Sequence, residues 1–207
     1  MRITWLGHAC FKLESGGYSV DIDPYEPDRV PGYGAVCAEV DAVYCSHGHG
    51  DHNYTQAVLI KDSGCSPMET ATVHSFHDDK RGALRGENAI HIFSDGETRA
   101  VHLGDLGHLL TAAEAEVIGT PDVLMIPVGG FYTIGPEEAV KVIDRLQPRI
   151  VIPMHYRLGE LGYGEIGELD AFLDKCAYAP VKRYGENYID AAPDTPKQVA
   201  VLTFSRG

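Results

Sequence analysis

Apolar and polar residues alternate through residues 3–6, 10–14 and 18–22, the two-residue period of half-buried strands. Gly16-Gly17 joins the second and third of these as a hairpin. Residues 40–45 form an apolar run of strand type, and residues 54–61 carry helical character. Alternation returns over 70–76. Residues 88–93 and 98–103 then flank Ser94-Asp95-Gly96, a strong hairpin turn. After that the period changes. Leu109, Leu110, Ala113 and Val117 predict a helix over 106–118, and residues 122–128 predict a buried strand. A second helix spans 136–146, with Thr133 placed as its cap, Pro136 as an early helical residue and Glu137-Glu138 in its first turn. Residues 150–152 read as a short buried strand, 168–176 as a short amphipathic helix, and 181–184 and 198–204 as terminal strands.

Strands first, then strands alternating with helices, predict an α/β protein: two mixed sheets packed face to face with helices outside. No linker divides the chain, so residues 1–207 are expected to form one domain. Three segments lack periodicity. Residues 25–38 are rich in proline and glycine and read as a flap, with Tyr25 and Tyr33 as substrate contacts. Residues 78–86 and 158–167 are the other two surface loops.

The chemistry concentrates in residues 46–52, Ser-His-Gly-His-Gly-Asp-His. Three imidazoles and a carboxylate within seven residues suit a borderline metal such as zinc. Gly48 and Gly50 permit tight turns that let neighbouring side chains converge. His47 and His49 are two apart and share a side in extended backbone. Asp51 and His52 follow the turn and face a second point. The pattern predicts half of each of two adjacent metal sites. Two metals sharing a water need about seven or eight ligand atoms, so further donors are expected at strand ends. His77, Asp105 and His155 each follow a predicted strand. Each also has a plain structural reading: His77 competes with mid-strand His74, Asp105 suits a helix cap beside His102 and His108, and His155 is isolated. His8, in the turn Gly7-His8-Ala9, is either a turn residue or faces the pocket. Asp23, ahead of Pro24, is either a turn residue or part of the site.

Taken together these residues resemble the metallo-β-lactamase-fold hydrolases, whose signature residues 46–52 match. Gly7-His8-Ala9-Cys10-Phe11 with Ile22-Asp23-Pro24, and Leu103-Gly104-Asp105, extend the likeness. So do Pro127-Val128-Gly129-Gly130-Phe131-Tyr132-Thr133 and Pro153-Met154-His155-Tyr156. They are similar to a small bacterial branch that includes ascorbate-6-phosphate lactonase-like proteins. The resemblance implies a four-layer αβ/βα sandwich. It also implies two divalent ions, zinc first, with manganese or iron as alternatives. His47, His49 and His77 would hold one ion, Asp51, His52 and His155 the other, and Asp105 would bridge them. Asp23 would support the histidine loop from behind, while His91, His102 and His108 stay structural. The redox di-iron branch carries an acidic residue where His49 stands, so hydrolysis is the expected chemistry. A metal-bound hydroxide would cleave a small-molecule ester, lactone or phosphodiester, with Asp51 orienting it. His8 and Tyr132, each in a turn at a strand end, are the candidate proton donors. A metal-binding sensor or a redox di-iron protein on the same fold is the alternative.

The formal net charge of -13 narrows the partners. Nucleic acid needs a basic track, and the densest cationic group, Lys80, Arg81 and Arg85, is flanked by Asp78, Asp79 and Glu87. A small substrate, anionic if two metals offset the local charge, is expected. Five cysteines without Cys-x-x-Cys spacing argue against a disulfide framework or a thiolate zinc site. No apolar run is long enough to span a bilayer or to serve as a signal sequence, so a cytoplasmic protein is expected. By resemblance, a homo-oligomer is expected.

Overall fold

The computed structural model describes residues 1–205. In chain order the strands are β1 (Arg2–Gly7), β2 (Cys10–Ser15), β3 (Tyr18–Ile22), β4 (Ala38–Val40), β5 (Ala42–Tyr44), β6 (Val58–Ile60), β7 (Glu69–Phe76), β8 (Glu87–Ser94) and β9 (Arg99–His102). Helix α1 (Ala112–Ile118), β10 (Val123–Pro127), α2 (Pro136–Leu146), β11 (Ile150–Met154) and α3 (Leu169–Leu173) follow. The chain closes with β12 (Val181–Arg183), β13 (Tyr188–Asp190) and β14 (Gln198–Val201).

Two mixed sheets carry the fold. One has the order β13-β1-β2-β3-β5, the other β12-β14-β11-β10-β9-β8-β7. A small parallel pair, β4 and β6, stands apart. The first sheet is antiparallel except for β3 and β5. In the second, β9, β10, β11, β14 and β12 run parallel. Every residue of β10 and β11 is buried, as expected of central parallel strands covered on both faces. β1 instead buries alternate residues, Ile3, Trp5 and Gly7. Ile3, Trp5, Phe11, Leu13 and Ile22 from the first sheet belong to one apolar cluster with Ile90, Phe93, Leu124 and Ile152 from the second. All three α-helices lie in segments that build the second sheet.

Four local expectations change. Residues 54–61 form a single 3-10 turn (Thr55–Ala57) and then β6, because Val58-Leu59-Ile60 pairs with β4. The run 40–45 is broken at Asp41, whose carboxylate accepts from the Ser19 and Ser63 amides at 2.7 and 2.9 Å. Residues 106–110 are not helical. α1 starts after Thr111, which forms a reciprocal capping box with Glu114. The cap of α2 is Gly135 rather than Thr133, whose hydroxyl donates to the Ile134 carbonyl. Pro136, Glu137 and Glu138 sit in its first turn as expected. No helix among the described residues is long and apolar enough to cross a membrane.

Candidate metal centre

Strand ends deliver the site. His77 follows β7, Asp105 lies just beyond β9, and His155 follows β11. From the other sheet, His8 sits between β1 and β2, Asp23 follows β3, and residues 46–52 follow β5. β9 and β11 both run parallel to β10, and β3 runs parallel to β5. Within each sheet these connections therefore leave from the same edge. The Gly107 amide donates to the Phe76 carbonyl at 3.0 Å. A Cβ at Gly107 would run into the His77 backbone, so only glycine lets the Asp105 loop lie against the end of β7. Three site residues adopt left-handed backbone: His8 (φ 52°), Asp23 (φ 55°) and His155 (φ 53°). Such conformations cost on the order of 1–3 kcal/mol each outside glycine and persist where the surroundings enforce them. Here the Asp23 amide donates to the Tyr44 carbonyl at 2.9 Å. The His8 carbonyl accepts from the Trp5 indole at 3.0 Å and the His155 amide at 3.2 Å.

The residues 46–52 are bends and a turn rather than extended backbone, yet they bring their donors together. Donor atoms of His47, His49 and His77 form one group, and those of His8, Asp51, His52 and His155 form another, each within 4.8 Å of one another. Asp105 joins the two. Its Oδ2 lies 3.1 Å from His77 Nε2, 3.2 Å from His155 Nε2, 3.3 Å from His52 Nε2 and 3.9 Å from His47 Nε2. The Asp105 amide is fixed by Asn88 Oδ1 at 2.8 Å. Asp23, wholly buried, accepts from the Ser46 amide and hydroxyl at 2.6 Å each and lies 2.8 Å from His52 Nδ1. It thus fixes the ring of His52 from behind.

The cluster fits metal ions. Buried nitrogens of His8, His47, His52, His77 and His155 lack a hydrogen-bond partner, as does Asp105 Oδ1. Such groups are costly to bury unless something else satisfies them. Burial pushes His47 down to about 3 and His8 down to about 4, which keeps their lone pairs free. For His52, burial opposes the cation, but Asp105 and Asp23 on its two nitrogens outweigh it and raise the imidazole well above its ordinary range. Burial likewise disfavours ionised Asp105, yet His155 and His52 hold it well below the usual carboxylate range. Positive charge is therefore wanted at the point where three Nε2 atoms meet one carboxylate oxygen. A metal ion supplies it without a proton.

A cavity of about 300 Å³ opens onto the cluster, lined by His49, Asp51, His77, Asp105 and His155. Each of the three aperiodic loops contributes to its wall: Arg29 from 25–38, Leu84 and Arg85 from 78–86, and Tyr163 from 158–167. Tyr132 completes it. Tyr163 was not singled out in the sequence; its hydroxyl donates to Asp51 Oδ2 at 3.1 Å. Tyr25 and Tyr33 do not line this cavity but a separate one beside Leu6 and Phe204. Both are buried among core residues, and the Tyr25 hydroxyl donates to the Leu6 carbonyl. His8 is fully buried and does not reach this cavity, so it is not placed to protonate a leaving group there. The remaining histidines are engaged elsewhere. His74 is on the surface beside Glu87, His91 faces Thr72 and the Cys45 carbonyl, His102 faces the Ala9 carbonyl, and His108 faces Ser75.

Residues 2–155 match the family model described as the beta-lactamase superfamily domain. The chain belongs to that family. Relatives of this β-lactamase superfamily protein include a UPF0173 metal-dependent hydrolase of Methanoculleus marisnigri, 32% identical over 187 residues that cover 75% of this chain and 81% of the relative. Another, from Methanopyrus kandleri, is 28% identical over 201 residues, 75% of this chain and 84% of its own. A Thermotoga maritima crystal structure, described as a Zn-dependent hydrolase of the metallo-β-lactamase superfamily, superposes with a TM-score of 0.74. It is 32% identical, and the match covers 97% of this chain and 98% of that one. The two-sheet architecture is that of the metallo-β-lactamase fold.

Proposed function

We propose that this metal-dependent hydrolase works through two divalent ions, zinc in the first instance, and cleaves a small anionic ester, lactone or phosphodiester. The observation that carries the reading is Asp105 Oδ2, surrounded at 3.1–3.3 Å by the Nε2 atoms of His52, His77 and His155. One carboxylate oxygen shared by two donor groups is the arrangement a bridged pair of ions requires. His47, His49 and His77 would hold one ion, and Asp51, His52 and His155 the other. When bound, such a pair acidifies a shared water and polarises the substrate oxygen. Asp51, tethered through Oδ2 to Tyr163, orients the attacking water. Tyr132 and Tyr163 stand on the cavity wall, where either phenol would be the proton donor for a leaving oxygen. Arg29 and Arg85 line the same wall. Arg85 donates to the Phe131 carbonyl, and among the described residues neither guanidinium forms an ion pair. Their free charge supports a substrate with a phosphate or carboxylate.

The test is turnover of a lactone, ester and bis-p-nitrophenyl phosphate panel by protein loaded with zinc, manganese or iron. Asp105→Asn and His52→Ala are expected to lose at least about a hundredfold in kcat/KM, the scale of losing transition-state charge stabilisation. Turnover that never exceeds the metal-free blank would sink the hydrolytic reading.

A further inference from the structure

His8 is fully buried, has no task in the hydrolytic scheme and, unlike His102, lacks hydrogen-bond partners. Both of its ring nitrogens are enclosed and have no hydrogen-bond partner. An imidazole in that state loses its hydration with no return unless a further group completes it. Its ring is packed against the donor group, 4.1 Å from the His155 ring and 5.4 Å from the His52 ring, centre to centre. His8 Nε2 and His52 Nε2 each lie 3.8 Å from Asp51 Oδ2. Donors that share one zinc ion at about 2.0–2.2 Å stand roughly 3–4 Å apart. The backbone is committed to this placement as well. His8 takes φ 52°, a conformation unfavourable for histidine, and its carbonyl ties Trp5 and His155 together.

We infer that His8 is a fifth protein ligand, beside Asp51, His52, His155 and the shared Asp105, of the ion they would hold, and that this centre is the tighter of the two. The inference rests on the two-ion reading above. It makes the centres unequal: three imidazoles and a carboxylate on one side, and the three imidazoles His47, His49 and His77 on the other, with Asp105 shared. Burial points the same way. In the His8 group only Asp51 is partly exposed, whereas His49 in the other group is exposed. Both groups line the cavity, but an ion at the His8 centre would be held by the more deeply buried donors and the ion beside His49 by the more exposed ones.

Limited dialysis of the zinc-loaded protein against EDTA, followed by metal analysis, tests this without any assay of turnover. The wild type is expected to pass through a stable one-ion plateau. Anomalous diffraction from crystals taken at that plateau is expected to place the ion within bonding distance of His8 Nε2. His8→Asn keeps a residue that tolerates positive φ and removes the ligand. It is expected to abolish the plateau and to weaken the tighter ion by at least the roughly 10–100-fold that losing a mere outer partner costs. His49→Ala is expected to remove the other ion and retain the plateau. An ion found at His47, His49 and His77 at the plateau overturns the inference, and so does a His8→Asn protein with unchanged affinity. If His8→Asn does not fold, the anomalous map of the wild type decides alone. Wild-type protein that takes up no metal overturns the two-ion reading itself.

Discussion

Asp23 shows what a single side chain contributes without touching substrate. Burial works against its ionisation, but the charge and hydrogen bond of His52 hold the carboxyl down to about 2. It orients His52 and ties down Ser46 at the head of the histidine loop. Asp23→Asn is expected to weaken metal binding by roughly 10–100-fold while leaving the fold intact, as read by competition with a chromogenic chelator. Asp21, two residues earlier, behaves in the opposite way. Burial raises it to about 7 from 3.8, with the Cys10 thiol donating to Oδ1 and Oδ2 left alone. The folded state thus binds this proton more tightly than the unfolded state does. Below about pH 4 Asp21 carries no penalty, and stability falls as pH rises from there towards 7. Asp21→Asn is expected to remove that slope and to gain a few kcal/mol at pH 8; unfolding midpoints at pH 5 and pH 8 measure it. At this scale the donors were readable because each is a polar residue just beyond an apolar strand. Tyr163 was not, since nothing in a glycine-rich loop indicates which side chain turns inward. Neither was the enclosure of His8, which depends on His155 from the far end of the chain.

Elements show the same division. The strands β1, β2, β3, β7 and β8, of five to eight residues, were legible because their length leaves little choice of register. Three-residue strands follow less surely, although β5 and β12 fell within runs read as strand. β13 was missed, and β6 was read as helix, since a short apolar run fits either period until a partner strand claims it. Helix α1 was expected six residues too early. Leu106 and Leu110 are buried but in loop conformation, because Gly107 must lie against His77 while Thr111 makes a better start. Thr111→Ala is expected to cost about 1 kcal/mol of stability by denaturant titration. Gly107→Ala is expected to cost more than that and to lower metal affinity as well, because the collision falls on the backbone that carries His77. A Gly107→Ala protein with full affinity would show that the Asp105 loop has room to move.

For the molecule as a whole, the ions and the fold should be coupled. Ions that bind only the native cluster stabilise it by about 2.7 kcal/mol when present at 100 times their dissociation constant. Removal by chelator is then expected to lower Tm by roughly 5–10 °C for a protein of this size, visible in a scan with and without EDTA. His52, raised above its ordinary range by Asp105 and Asp23, must give up a proton to bind, so the stabilisation should fade as pH falls. The two-sheet sandwich was legible from pattern and resemblance, but not the order of its strands. Nor was the closure of the first sheet, because its edge strand β13 comes from the last tenth of the chain and pairs Ile189 with Ile3. That pairing sets the order of events on the ribosome. His155 completes the donor set 33 residues before Tyr188 is made, roughly 2–7 seconds at about 5–20 residues per second. Through that interval the chain has every donor residue while the first sheet still lacks its edge strand.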